Sequence, residues 1–281
     1  MGNKTGWHLF LLLWLVLLLA ISVVGCALNP RYIYENGAVQ IGGDGEPIEL
    51  INNPDSTSPT YAELIAFVIA DSTDTNAYLE GGPRDYVCSD FAEDVHNNAE
   101  AAGIKAAWVS IAFEGNDEGH ACNAFETTDR GLVYIDCTGD NRGFVYAPAL
   151  EDYVKQHIIP GSLPESEPSP CDTIAYIEIG KEYGLIDIVK AKSLSYSFYE
   201  ECKRKWQECE ILLSEYNEEV MQYNEEMQGK IYYEGSPELA RMEAWEARLK
   251  EKSRMIDELR KELGDFWFEP LGVIKDILIH W

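Results

Sequence analysis

The amino-acid sequence predicts an α+β fold that carries an added antiparallel helical hairpin. One observation is a helical pattern that begins at Cys88 and gives way to segments with the pattern of strands. A second is an apolar heptad seam that runs, with one break, through residues 198–263. The third is composition, because 46% hydrophobic residues, with 16 Tyr and 7 Trp among 281 residues, are typical of a folded chain.

The α+β domain is predicted to span residues 59–159, after a lead-in. Residues 26–58 are predicted to be extended, because turn-forming residues recur in them, including the glycine-rich stretch 42–45. The domain then opens with a helix near Pro59, for which Ser58 is the predicted N-cap. This order places the lead-in between the N-terminus and the folded core.

The centre of the domain is predicted to be a helix followed by an antiparallel meander. The helix runs from Cys88 to about Ala102, and Gly103 provides a C-terminal stop. The predicted strands that follow are residues 106–113, 120–127 and 132–138. The sequence therefore predicts a cysteine-bearing helix packed on an antiparallel sheet.

The rest of the chain is predicted to add a linker, short strands and a helical hairpin. The hairpin rests on apolar residues spaced alternately by three and four, interrupted at 228–235 and restarted by a cap at Ser236. The predicted units are a linker at 160–172, two short strands within 173–197, the hairpin at 198–264 and a closing strand within 265–281. The hairpin is a candidate surface for a protein partner.

The N-terminal residues 1–25 are predicted to export the chain and hold it at a membrane. Lys4 precedes an uncharged apolar run at residues 9–24, which is the pattern of an export signal. The run ends at Cys26 and resembles a lipoprotein signal, which predicts lipidation of Cys26. An uncleaved transmembrane helix over residues 9–28 is the alternative, because about 20 apolar residues span a bilayer. Both readings place the folded part outside the cytoplasm and at the cell membrane.

The charge of the chain excludes one class of function. Its formal net charge is −27. Such a surface repels nucleic acid, so a nucleic-acid partner is not expected.

Three residues of the predicted domain have the chemistry of an acyl-transfer site. Cys88 lies at a predicted helix start, where unpaired backbone N–H groups and the helix dipole stabilise a thiolate. His120 opens one predicted strand and Asp136 lies near the end of the next, so the two can meet across an antiparallel pair. A carboxylate in that position would orient the imidazole and stabilise its protonated form.

A Cys at a helix start, a His about thirty residues later and an Asp-x-Thr about sixteen residues after the His resemble the core of the transglutaminase-like superfamily, whose fold is papain-like. The likeness covers roughly residues 60–150, and it is greatest to the prokaryotic cell-envelope domains. By this resemblance Cys88 is the nucleophile, His120 the general base and acid, and Asp136 the orienting residue. The chemistry it implies is acyl transfer through a thioester, with no cofactor. The backbone N–H of Cys88 is one candidate oxyanion donor, and the side chain of Tyr86 or of another upstream residue is the candidate for the second.

Two other readings of the same cysteines remain open. Cys88, His120, Cys122 and Asp136 form a possible zinc ligand set, although no CxxC pair supports a metal site and none is predicted. Cys122 shares a strand face with His120, so it could form a redox lock with Cys88, but simple packing is the favoured reading.

The sequence therefore predicts a membrane-tethered, extracytoplasmic thiol enzyme that acts on protein or peptide amides as a cysteine peptidase or transglutaminase. Hydrolysis is favoured over cross-linking, because water is always present and nothing indicates a second amine site. The alternative is a catalytically silent binding or scaffolding module that works through its helical hairpin.

Overall fold

The computed structural model describes residues 30–80, 85–138, 171–264 and 268–281. The strands are β1 (Pro30–Tyr32), β2 (Tyr34–Glu35), β3 (Ala38–Val39), β4 (Glu49–Ile51), β5 (Ala107–Phe113), β6 (His120–Thr127), β7 (Gly131–Asp136), β8 (Thr173–Tyr176), β9 (Gly184–Asp187) and β10 (Ile274–His280). The helices are α1 (Tyr61–Ala70), α2 (Cys88–Ala101), α3 (Tyr196–Met227) and α4 (Pro237–Leu263). The predicted segment 1–25, Cys26 and nearly all of the predicted linker 160–172 lie outside the described residues.

A six-stranded antiparallel sheet forms the centre of the fold, with the strand order β10-β5-β6-β7-β8-β9. Strands β5 to β7 are the predicted meander, and β8 and β9 are the two predicted short strands. The predicted closing strand is β10, which pairs with β5 and so brings the last residues of the chain into the sheet. The α+β class is therefore confirmed.

Helix α2 packs on this sheet through the apolar side of its surface. Phe91, Val95 and Ala99 are buried and recur every four residues, so they lie on one side of the helix. Ala92, one residue round from that side, packs together with Trp108 of β5. The packing fixes the N-terminus of the helix, and with it Cys88, beside the first residues of β6.

The lead-in is folded against α2 and is not simply extended. Strands β1 and β4 pair with each other, and Ile33, Ile48 and Leu50 pack against the N-terminal half of the helix. A stripe of polar side chains on α2 also holds the lead-in, because Glu93 accepts a hydrogen bond from the N–H of Glu49 at 2.9 Å. The other members of this stripe are Asp90, Asn97 and Glu100, which accept from the N–H groups of Gly43, Ile51 and Asn53.

Helix α1 begins two residues later than its predicted cap implied. Its N-cap is Thr60, whose hydroxyl accepts from the N–H of Glu63 at 3.2 Å. The Glu63 carboxylate in turn accepts from the N–H of Thr60 at 2.7 Å, which completes a capping box. Ser58 is therefore not the cap, because this reciprocal pair uses the Thr and Glu that lie three residues apart.

Helices α3 and α4 form the predicted antiparallel hairpin. Ser236 caps α4 through a hydrogen bond from the N–H of Leu239 at 3.1 Å. Trp206 and Cys209 of α3 pack against Ile256 and Leu263 of α4, and this cluster forms the end of the hairpin that joins the sheet. The 32 residues of α3 give a helix of about 48 Å, so the hairpin extends well beyond the sheet.

None of the helices in the described part of the chain is long and apolar enough to cross a membrane.

Candidate functional site

The structure places Cys88 at the first position of α2. Val87 occupies the N-cap, and its N–H donates to the Asp90 carboxylate at 2.8 Å. The N–H of Gly43 in the lead-in donates to the same carboxylate oxygen at 2.8 Å. The side chain of Cys88 is half-buried and forms no disulfide with the other described cysteines, so the helix end presents a thiol.

His120 and Asp136 meet across neighbouring strands. The register of β6 and β7 pairs Asn123 with Ile135, and its extension places Cys122 opposite Asp136. His120 is therefore diagonal to Asp136 on the same face of the sheet, a separation that long side chains bridge. The Nε2 atom of His120 lies 2.8 Å from Oδ2 of Asp136.

Donors hold both oxygens of the Asp136 carboxylate. Its Oδ1 accepts from the backbone N–H of Thr138 at 3.0 Å and from the Thr138 hydroxyl at 2.7 Å. Its Oδ2 accepts from the Tyr183 hydroxyl at 2.7 Å as well as from His120. The carboxylate is only 1% exposed, so these bonds take the place of water around a buried charge.

Cys88 and His120 stabilise each other's charged forms. Burial raises the pKa of Cys88, but the charge and hydrogen bond of His120, with the N–H of Ala121, outweigh it and lower that pKa below the free-thiol value. Burial likewise opposes charge on His120, but Asp136 and the Cys88 sulfur raise the pKa of His120 to about 9. Because Nε2 faces Asp136, Nδ1 is the ring nitrogen left for the sulfur. The arrangement favours a thiolate–imidazolium pair over the neutral pair that a free thiol and imidazole would form.

The two candidate oxyanion donors differ in the structure. Within the described residues the N–H of Cys88 has no acceptor, as expected for the first residue of a helix, so it is available to a ligand. The hydroxyl of Tyr86 instead donates to Asp94 and accepts from the side chain of Asn76. The Tyr86 hydroxyl is therefore already engaged by two side chains, and its role as the second donor stays a prediction.

The alternative readings of the cysteines gain no support from the described residues. No group of three His, Cys, Asp or Glu side chains in that part of the chain is arranged to hold a metal ion, which leaves the zinc set without support. Cys122 is buried among apolar residues of the sheet, while Cys88 is a free thiol. Packing stays the favoured reading of Cys122.

Sequence reasoning missed Tyr183, which contacts both Asp136 and His120. It lies directly before β9 and reaches a carboxylate 47 residues earlier in the chain. No local pattern marks such a contact, because it depends on β8 and β9 joining the same sheet as β7. The only sequence signal is the position of Tyr183 at the edge of a predicted strand.

Comparisons of the chain with protein-family models, with curated proteins and with solved structures found no match.

Proposed function

We propose that the protein is a thiol enzyme that cleaves or transfers protein and peptide amides through a Cys88–His120–Asp136 site. The observation that carries the proposal is the chain of contacts from a thiol at a helix N-terminus, through an imidazole, to a buried carboxylate. The resemblance to transglutaminase-like domains rests on the same three residues and supports the same chemistry.

In the proposed first step the Cys88 thiolate attacks the amide carbonyl carbon, forming a C–S bond and an oxyanion. The N–H of Cys88 points from the helix N-terminus and can donate to that oxyanion. As the C–N bond breaks, the His120 imidazolium gives its proton to the leaving amine, and a thioester remains.

In the second step water attacks the thioester. His120, now neutral, takes a proton from the water, the C–S bond breaks and a carboxylic acid leaves. An amine in place of water would give a new amide by the same proton transfers. Asp136 stays ionised throughout and orients the imidazole ring. Hydrolysis is the favoured outcome, and an amine-incorporation assay that gave cross-linked product without hydrolysis would reverse this preference.

We also propose that residues 1–25 tether the enzyme to the outer face of the cell membrane, through a lipid on Cys26 or through the apolar run itself. The substrate would then be a protein or peptide of the envelope or the exterior. Replacing Cys26 by Ser separates the two anchors. If Cys26 is lipidated, the Cys26→Ser protein should differ in mass from the unmodified one and lose its attachment to the membrane. If its size and attachment are unchanged, the transmembrane helix is the anchor.

A second candidate function is binding or scaffolding by the helical hairpin. It is favoured by exposed apolar side chains in the connection between α3 and α4, where Ile231 is 80% exposed and Tyr233 is 75% exposed. This function predicts that Cys88→Ala has no phenotype while Ile231→Ser with Tyr233→Ser does. The enzyme predicts a phenotype for Cys88→Ala.

The test of the enzyme proposal is the reactivity of its thiol. The full-length protein in detergent is treated with a limiting alkylating reagent across a pH series, and the modified cysteines are identified by mass spectrometry. Cys202 is the internal control, because it is also half-buried and burial raises its pKa. Cys88 should react well below the free-thiol pKa of about 8.5, ahead of Cys202, and His120→Ala should abolish this advantage. Equal reactivity of the two thiols in the unmodified protein would overturn the proposal.

A further inference from the structure

The hydroxyl of Tyr183 and the imidazole of His120 share one oxygen of Asp136. The Tyr183 hydroxyl donates to Oδ2 at 2.7 Å, and Nε2 of His120 lies 2.8 Å from the same atom. The ring of Tyr183 also packs edge-on against the His120 ring, with centroids 5.1 Å apart and an interplanar angle of 68°. Tyr183 is 1% exposed and therefore limits the movement of both the carboxylate and the imidazole.

Contacts from two parts of the chain fix the segment that carries Tyr183. The backbone N–H of Tyr183 donates to the carbonyl of Gly272, just before β10, at 2.9 Å. On the other side, the hydroxyl of Tyr196 in the first turn of α3 donates to the carbonyl of Glu182 at 2.7 Å. Lys203, two turns along α3, forms an ion pair with the Glu182 carboxylate. The segment is thus held by the base of the helical hairpin as well as by the sheet.

The residue after Tyr183 shows how closely α3 approaches. A Cβ on Gly184 would lie 2.5 Å from ring atoms of Tyr199, so the tyrosine ring lies directly against the glycine backbone. Tyr199 is itself fully buried. Only glycine fits at this contact. The close approach of the Tyr199 ring to Gly184 leaves the neighbouring Tyr183 little room to turn away from Asp136.

We propose that Tyr183 is a positioning residue of the Cys88–His120–Asp136 site and that the base of the hairpin keeps it in place. The inference rests on the proposed function. Thr138 holds one oxygen of the carboxylate and Tyr183 the other, so the plane of Asp136 is fixed and Oδ2 points at Nε2 of His120. The contacts of Tyr183 with Asp136 and His120 are those through which it acts.

The test compares Tyr183→Phe with Tyr176→Phe in the full-length protein in detergent. Both changes remove one hydroxyl and keep the ring. Tyr176 is the matched control, because it is 2% exposed, lies on neighbouring β8 and donates to the carbonyl of Ser193 at 2.7 Å, away from the site. The readouts are the alkylation rate of Cys88 as a function of pH and the urea midpoint of unfolding.

Tyr183→Phe should slow alkylation of Cys88 at pH 6.5 by up to about tenfold and move the pH profile upward by up to about one unit, because an Asp136 carboxylate that is free to rotate holds the His120 imidazolium beside the sulfur less well. Tyr176→Phe should leave that profile unchanged. A purely structural role for Tyr183 would lower the unfolding midpoint in both variants and shift neither profile, and that result would overturn the inference.

The experiment separates the two proposals. If Cys88 in the unmodified protein reacts no faster than Cys202, the proposed function fails before Tyr183 is considered. If Cys88 is selectively reactive and Tyr183→Phe leaves its profile unchanged, only the inference fails. Should Tyr183→Phe not fold, Tyr196→Phe loosens the same segment with Tyr183 intact. It should shift the profile in the same direction by less, and an unchanged profile would again count against the inference.

Discussion

Adding one methyl group to the lead-in should both destabilise the fold and weaken the candidate site. The backbone of Gly42 is not in the left-handed region, so alanine is allowed there. However, a Cβ at Gly42 would overlap Oδ1 of Asp90. Asp90 would have to move, and its Oδ2 would lose the N–H groups of Gly43 and Val87, each of which donates at 2.8 Å.

The magnitude follows from these two hydrogen bonds. A hydrogen bond to a charged group contributes about 1.5–3 kcal/mol, and the half-buried position of Asp90 calls for the lower end. Loss of both hydrogen bonds in Gly42→Ala should therefore reduce the free energy of unfolding by about 3 kcal/mol. Urea titration measures this reduction, and the m-value should be the same as in the unmodified protein. Alkylation of Cys88 should slow as well, because Asp90 caps the helix end that bears the thiol.

A double-mutant cycle checks the cause. Asp90→Ala removes the carboxylate that the new methyl group would displace, so Gly42→Ala should add little in that background. The two single changes would then have similar effects, and the double variant would match Asp90→Ala alone. Additive losses would refute the reasoning, because they would mean that the methyl group acts somewhere other than on Asp90.

Two further predictions concern pH and the hairpin. Burial raises the pKa of Glu93 to about 7 in the folded protein. The protonated carboxyl therefore stabilises the fold fully below its unfolded-state pKa of 4.5, and this contribution is lost as the pH rises through 7. Glu93→Gln should reduce by about 1–2 kcal/mol the change in unfolding free energy between pH 5 and pH 8, measured by urea unfolding. The same change in Glu93→Gln and in the unmodified protein would contradict this prediction. Ser236→Ala should cost about 1 kcal/mol through loss of the cap on the N–H of Leu239, whereas Ser214→Ala, at an exposed position inside α3, should not lower the unfolding midpoint.

The elements that the sequence predicted well are those with a local signal. Helix α2 begins at the predicted Cys88 and ends one residue before the predicted Ala102. The hairpin followed from a heptad seam, which needs no knowledge of the sheet. The meeting of His120 with Asp136 was also predictable, because two short strands joined by a tight turn leave few possible registers.

The parts that escaped prediction depend on contacts between distant segments. The polar stripe of α2 recurs every three or four residues, but such a pattern is typical of a helix face exposed to water. In the structure Glu93 and Asn97 instead accept hydrogen bonds from the lead-in backbone. Tyr183 escaped for the same reason, because its partner Asp136 is near only once β7, β8 and β9 have paired.

The net charge of −27 bears on how a thiolate can form in this protein. The general field of an acidic chain favours an imidazolium and opposes a further negative charge on sulfur, but salt screens it over about 8 Å at physiological ionic strength. The direct contact with His120 acts at much shorter range in a partly buried position, so it is screened far less. The Cys88–His120 contact therefore governs ionisation of the thiol, while the surface charge governs which reagents approach it. An uncharged alkylating reagent is the one whose rate reports on the site, because an anionic reagent would be repelled by the acidic surface whether or not the thiolate is present.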